Sequence, residues 1–169
     1  MLADGIAASR IVIGGDSAGG GLTLSTLLSL RAAGDPLPAG AILFSPWTDL
    51  AGTGETLVSN DRTDVMFHGG GIRDGAAYYL GDTPGTDPLA SPFYADLTGL
   101  PPLFIQASGA EVLLADSTRL ADKARAAGVQ VEFEIWPKLP HVWQLFAPFM
   151  PEARAALAKT SVFLRRVTG

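Results

Sequence analysis

A serine hydroxyl attacks a carbonyl only when a neighbouring base takes its proton and a third group orients that base. Three short stretches of this chain hold residue types suited to those roles. The first runs from Ile11 to Gly21, where Gly15-x-Ser17-x-Gly19 ends an apolar, β-branched run and opens a helix-like one. That is the strand-turn-helix context of a nucleophile elbow, in which a serine on a tight turn points its hydroxyl out of the sheet. Side chains in place of Gly15 or Gly19 are expected to collide with the neighbouring strand or helix at so sharp a bend. The backbone N–H of Ala18, just after the serine, is one donor for a developing oxyanion.

The chain has two histidines. His141, in Leu139-Pro140-His141-Val142-Trp143, follows the last apolar strand and is the better placed base. Without Ser17 it would read as a solvent-facing loop histidine. His68 opens His68-Gly69-Gly70-Gly71, a stretch that reads as a glycine turn before a helix at Ile72. For the acid, Gln106-Ala107-Ser108-Gly109-Ala110-Glu111 delivers Glu111 just past a strand, where it can accept a hydrogen bond from the imidazole and fix its tautomer. Asp116 is its rival. That residue opens the following helix, where an anion at a helix N-terminus is enough to explain it, so placement in the loop favours Glu111.

These residues need a scaffold, and the apolar pattern supplies one. Strands are expected at Arg10 to Gly14, Ala41 to Phe44, Leu103 to Ala107 and Val129 to Trp136. The first, with Ile11, Val12 and Ile13 in unbroken sequence, reads as buried on both faces. Helices are expected from Gly19 to Ala33, stopped by Gly34, from Leu113 to Ala127, closed by Gly128, and from Pro151 to Val167. Strands alternating with helices mean an α/β fold with a parallel sheet of about four strands. The Gly-, Asp-, Thr- and Pro-rich stretch from Ala51 to Pro92 reads as a surface excursion with one helix near Ile72 to Leu80. All 169 residues form one expected domain.

The totals agree with one packed domain. A hydrophobic content of 47% against 17% charged is ample for a core. A net charge of −5, from 12 basic and 17 acidic residues, argues against a general nucleic-acid binder. With no cysteine there is neither a disulfide framework nor a thiolate metal site, which fits a cytoplasm. The start, Met-Leu-Ala-Asp-Gly-Ile, does not read as a signal peptide, and no long apolar run suggests a membrane span.

Gly15-Asp16-Ser17-Ala18-Gly19-Gly20, Ser45-Pro46-Trp47-Thr48-Asp49, Asp87-Pro88-Leu89-Ala90-Ser91-Pro92 and Pro140-His141-Val142-Trp143 together resemble the bacterial hormone-sensitive-lipase-like esterases of the α/β-hydrolase superfamily. The resemblance runs over nearly the whole chain but matches only the C-terminal half of that family. It implies hydrolysis of short-chain carboxylic esters through an acyl-serine, without metal or cofactor, with Ser17 as nucleophile, His141 as base and the acid at Glu111. The family usually carries aspartate, proline and leucine where this chain reads Glu111-Val112-Leu113. Trp47 and Trp143, with Phe93 and Phe146, are candidates to line the substrate pocket.

The family's first strands, its cap and its upstream glycine loop have no counterpart in these residues, and His68 to Gly71 lies on the wrong side of the serine to replace that loop. Losing an oxyanion donor costs about 100 to 1,000-fold, so reduced activity is expected. The Ile11 strand is expected at a sheet edge, which makes a homo-oligomer through it, or a non-catalytic interaction module, the alternative expectation.

Overall fold

The computed structural model describes residues 4–169; Met1 to Ala3, part of the stretch read above for a leader, lie outside the described residues. Four strands, β1 (Val12–Asp16), β2 (Gly40–Phe44), β3 (Leu103–Ser108) and β4 (Val131–Trp136), form one parallel sheet in the order β1-β2-β3-β4. Among the described residues five α-helices accompany them: α1 (Ala18–Ala33), α2 (Thr56–Ser59), α3 (Gly69–Leu80), α4 (Leu114–Ala126) and α5 (Pro151–Thr168). No helix among the described residues is long and apolar enough to cross a membrane.

Successive side chains of a strand point to opposite faces, and the two faces of this sheet are covered by different helices. Ala41, Leu43, Leu103 and Ile105 meet Leu24, Leu27 and Leu28 of α1 and Leu120, Ala121 and Ala124 of α4. Ile42 and Phe104 face the other way, onto Phe163 of α5, whose ring stacks on Phe104 at 5.4 Å. The result is a three-layer α/β sandwich.

Burial follows strand position. The central β3 is buried along its whole length, whereas β1 is at most half-buried at every residue. The expectation that β1 is covered on both faces is therefore corrected: it lies at the sheet edge, with β2 on one side only. It also runs two residues later than the apolar run suggests, because Gly14, Gly15 and Asp16 stay in register with Ile42, Leu43 and Phe44.

The 51–92 segment is more ordered than a surface excursion. Leu57 of α2 and Ile72 of α3 form a small core with Val112 and Leu113, against which Trp47 packs. The expected glycine turn at Gly69 to Gly71 is instead the first turn of α3. A Cβ on Gly69 would lie 1.9 Å from the Leu57 carbonyl oxygen, so α3 meets α2 this closely only because the residue is glycine. The Gly69 N–H donates to Asp61 Oδ1 at 2.7 Å, which caps the helix start.

Candidate active site

Parallel strands send all their C-terminal ends to one rim of the sheet, and each strand here delivers a residue of interest there. Ser17 follows β1, Ser45 follows β2, Glu111 follows β3 and His141 follows β4.

At the elbow, Ser17 has φ 52° and ψ −122°, a backbone conformation that a non-glycine residue adopts only when its surroundings impose it. They do so through the backbone. The Ser17 N–H donates to the Phe44 carbonyl at 2.9 Å, and its own carbonyl accepts from Gly20 at 3.0 Å and Trp47 at 2.9 Å. A Cβ on Gly15 would lie 2.2 Å from the Gly19 carbonyl oxygen, as the motif requires. Gly19 differs from expectation, because a Cβ there meets nothing within 4 Å. The steric demand falls one and two residues later: Gly20 would strike Pro46 at 2.7 Å and Gly21 the Trp47 carbonyl oxygen at 2.3 Å. The first turn of α1 is thus pressed against the segment that follows β2. Ala18, at the start of α1, is exposed.

On the same rim, His141 Nδ1 lies 2.8 Å from Glu111 Oε2, with both side chains buried. Glu111 Oε1 accepts the Ser108 N–H at 3.1 Å, so both carboxylate oxygens are occupied. A carboxylate on Nδ1 makes that nitrogen the N–H and leaves Nε2 as the free acceptor. Nε2 is buried and has no hydrogen-bond partner among the described residues. Phe67 sets its ring edge-on to the imidazole at 5.0 Å. The structure brings Glu111 and His141 together and does not close a hydrogen bond from Ser17 to that imidazole; such contacts are often loose before substrate binds.

Asp116, the rival acid, is occupied elsewhere. Its Oδ2 accepts the Thr48 N–H at 2.8 Å and the Asp49 N–H at 2.9 Å, so it neither touches His141 nor caps its own helix. Burial pushes its pKa up to about 7, opposed only in part by those two amides.

A cavity of about 240 Å3 opens beside the elbow, lined by Ala18, Gly19, Leu22, Trp47, Leu50, Tyr79 and Leu89 among others. Trp47 therefore sits in its wall as expected. Trp143 does not: it is fully buried, 5.8 Å from the Trp136 ring and packed on Ala153 and Ala156 of α5. Phe93 lies under the Arg119 guanidinium at 4.4 Å, and Phe146 is outside the cavity wall. His68 is exposed, at the N-terminus of α3, with its ring near Asp61.

Several residues that hold this site carry no local signal. Asn60 Nδ2 donates to the carbonyls of Gly109 and Glu111, Asp64 Oδ2 accepts the Val112 N–H, and Thr56 Oγ1 bridges Val112 and Ala115. Together they clamp the loop that carries Glu111. Ser45, buried at φ 47°, accepts the Val142 N–H through its hydroxyl and so ties the end of β2 to the residue after His141. The only sequence hint was the density of Asx and small polar residues between Ala51 and Pro92.

The chain belongs to the α/β-hydrolase fold family, whose sequence profile matches residues 2–145. Within that class, its likeness is to hormone-sensitive-lipase-type esterases. It is 48% identical, with a TM-score of 0.97, to the crystal structure of an esterase of the bacterial hormone-sensitive lipase family, covering 99% of this chain and 57% of that one. The crystal structure of EstE5 soaked with p-nitrophenyl butyrate is 43% identical, with a TM-score of 0.95 and coverage of 99% and 56%. An acetyl-hydrolase of Streptomyces hygroscopicus is 43% identical over 169 residues, 100% of this chain and 56% of that protein. The chain thus spans a little over half the length of these relatives.

Proposed function

We propose that these residues carry the nucleophile, base and acid of a serine carboxylesterase acting on short-chain esters. The observation that carries the reading is the buried Glu111–His141 pair at 2.8 Å, with Nε2 left unpartnered on the rim that also holds Ser17. Ser17 Oγ forms a bond to the ester carbonyl carbon while His141 Nε2 takes its proton. The displaced carbonyl electrons gather on the oxygen, where the Ala18 N–H donates. Collapse expels the alcohol, which leaves with the proton from the imidazolium, and water then releases the acid by the same steps in reverse roles. Glu111 holds the imidazole tautomer and stabilises the imidazolium. The small apolar cavity beside the elbow supports a short acyl chain. The 169 residues by themselves are expected to turn over slowly, because the elbow supplies a single donor to the oxyanion.

The test is hydrolysis of p-nitrophenyl acetate and butyrate by the wild type and Ser17→Ala, with fluorophosphonate labelling. Loss of at least about a thousandfold in turnover and loss of label are expected for the variant. Equal rates with no label on Ser17 end the reading.

A second reading is favoured by one observation, the position of β1 at the sheet edge with strand pairing on one side only. An unpaired strand edge is a template for another chain, and we infer a homo-oligomer through β1 or the surfaces beside it. Sedimentation of the 169-residue chain at micromolar concentration as a compact monomer contradicts it.

A further inference from the structure

The segment after β2 has two roles at the cavity. Trp47 and Leu50 form part of the wall, and the Trp47 N–H donates to the Ser17 carbonyl at the elbow. The following residues Thr48 and Asp49 both donate their N–H groups to one oxygen of Asp116, 68 and 67 residues away on α4. The same segment is braced internally by the Asp49 carboxylate. That group accepts from the Ala51 and Thr53 amides, the Tyr94 hydroxyl at 3.0 Å and Arg119 Nη2 at 2.9 Å. Arg119 also lies 3.5 Å from Asp116 Oδ1, so one guanidinium serves two buried carboxylates. A buried, desolvated carboxylate is an unfavourable way merely to fill space, and an apolar side chain would pack there at less cost. What Asp116 supplies that an apolar residue cannot is a fixed acceptor for two consecutive amides.

We propose that Asp116 is a positioning residue for acyl-chain selectivity: by holding the Thr48 and Asp49 amides it fixes the Trp47 and Leu50 wall of the cavity beside Ser17. The role rests on the esterase reading above. It assigns Asp116 no contact with substrate and no part in proton transfer. A neutral amide at this position still presents one carbonyl oxygen to both N–H groups, whereas a methyl group presents none.

The inference is tested by measuring kcat and KM for p-nitrophenyl acetate, butyrate and hexanoate with the wild type, Asp116→Asn and Asp116→Ala. Rates are taken per site labelled by a fluorophosphonate, so that a smaller folded fraction does not enter. The alanine variant should lose about tenfold more kcat/KM on the longer esters than on acetate, carried mainly by KM, and the asparagine variant should recover most of it. Where alanine does not fold, Asp116→Ser carries the same test, since its hydroxyl is too short to reach both amides. An equal loss on all three esters per labelled site overturns the inference and leaves the esterase reading standing. A wild type that neither hydrolyses these esters nor labels at Ser17 removes both.

Discussion

The elbow at β1 and the acid loop after β3 lie on the same rim of the sheet, yet they are built in different ways. The elbow is written in one short motif: Gly15, Ser17, Gly20 and Gly21 fall within seven residues, where Gly15 meets Gly19 and the other two glycines press against Pro46 and Trp47 of the segment after β2. The acid loop is remote in origin: Glu111 is set by Asn60, Asp64 and Thr56, about fifty residues earlier in the chain, and by an imidazole thirty residues later. Glycines that close packing demands make one candidate residue recognisable from a short motif. The other depends on a polar clamp that only the folded chain assembles. Two carboxylates five residues apart show the consequence, since Glu111 meets the imidazole and Asp116 meets backbone amides.

Exchanging the carboxylates of that pair is the sharpest way to break the contrast. Glu111→Gln should lower kcat by about ten-thousand-fold with the fold intact, because the amide cannot stabilise the imidazolium and competes for the wrong tautomer. Asp116→Asn should cost less than about tenfold on acetate. Steady-state kinetics on both variants decides, and a reversed order would exchange the roles assigned to them.

The elbow is broken through its glycines. Gly15→Ala forces a Cβ onto the Gly19 carbonyl and should cost about 3 kcal/mol, whereas Gly19→Ala enters open space and should be near neutral or slightly stabilising. Denaturant unfolding of the two variants measures the difference. At the acid loop, Asn60→Ala removes two hydrogen bonds to the Gly109 and Glu111 carbonyls and should cost about 1–2 kcal/mol, with a fall in kcat on every ester alike.

A separate effect, confined to Asp116, is expected in the pH dependence of stability. The folded pKa of Asp116, about 7, lies above that of an unfolded carboxyl, near 4. The folded state therefore holds an extra proton between these limits. The stability it contributes is complete below about pH 4 and is lost as pH rises through about 7. Asp116→Asn has no such proton to lose. Its melting temperature should gain on the wild type from pH 4 to 7 and run parallel above pH 8, which thermal scans in a buffer series would show.

Much of the fold is legible in the sequence because apolar periodicity and glycine stops are local signals. The four strands, three long helices and the end of α1 at Gly34 follow from them. Gly69 to Gly71 were misleading, since glycine marks turns on average and the close approach of Leu57 that makes this one helical comes from tertiary packing. The β1 strand reads as doubly buried from Ile11 to Ile13, yet burial depends on neighbours that its own residues do not encode. Trp143 shows the same limit: its type suits a pocket wall, but α5, a dozen residues further on, covers it. Ser17, His141 and Glu111 could be picked out by motif and order, whereas the reach of Asp116 to Thr48 and Asp49 had no local trace.

The central claim is that Ser17 is a nucleophile activated by the Glu111–His141 pair. Mass spectrometry of the protein treated with a fluorophosphonate, for the wild type and His141→Ala, tests it most directly. A single adduct on Ser17 in the wild type, formed at least about a thousandfold more slowly in the variant, is the predicted result. No adduct on Ser17, or one that forms equally fast without the imidazole, would contradict it.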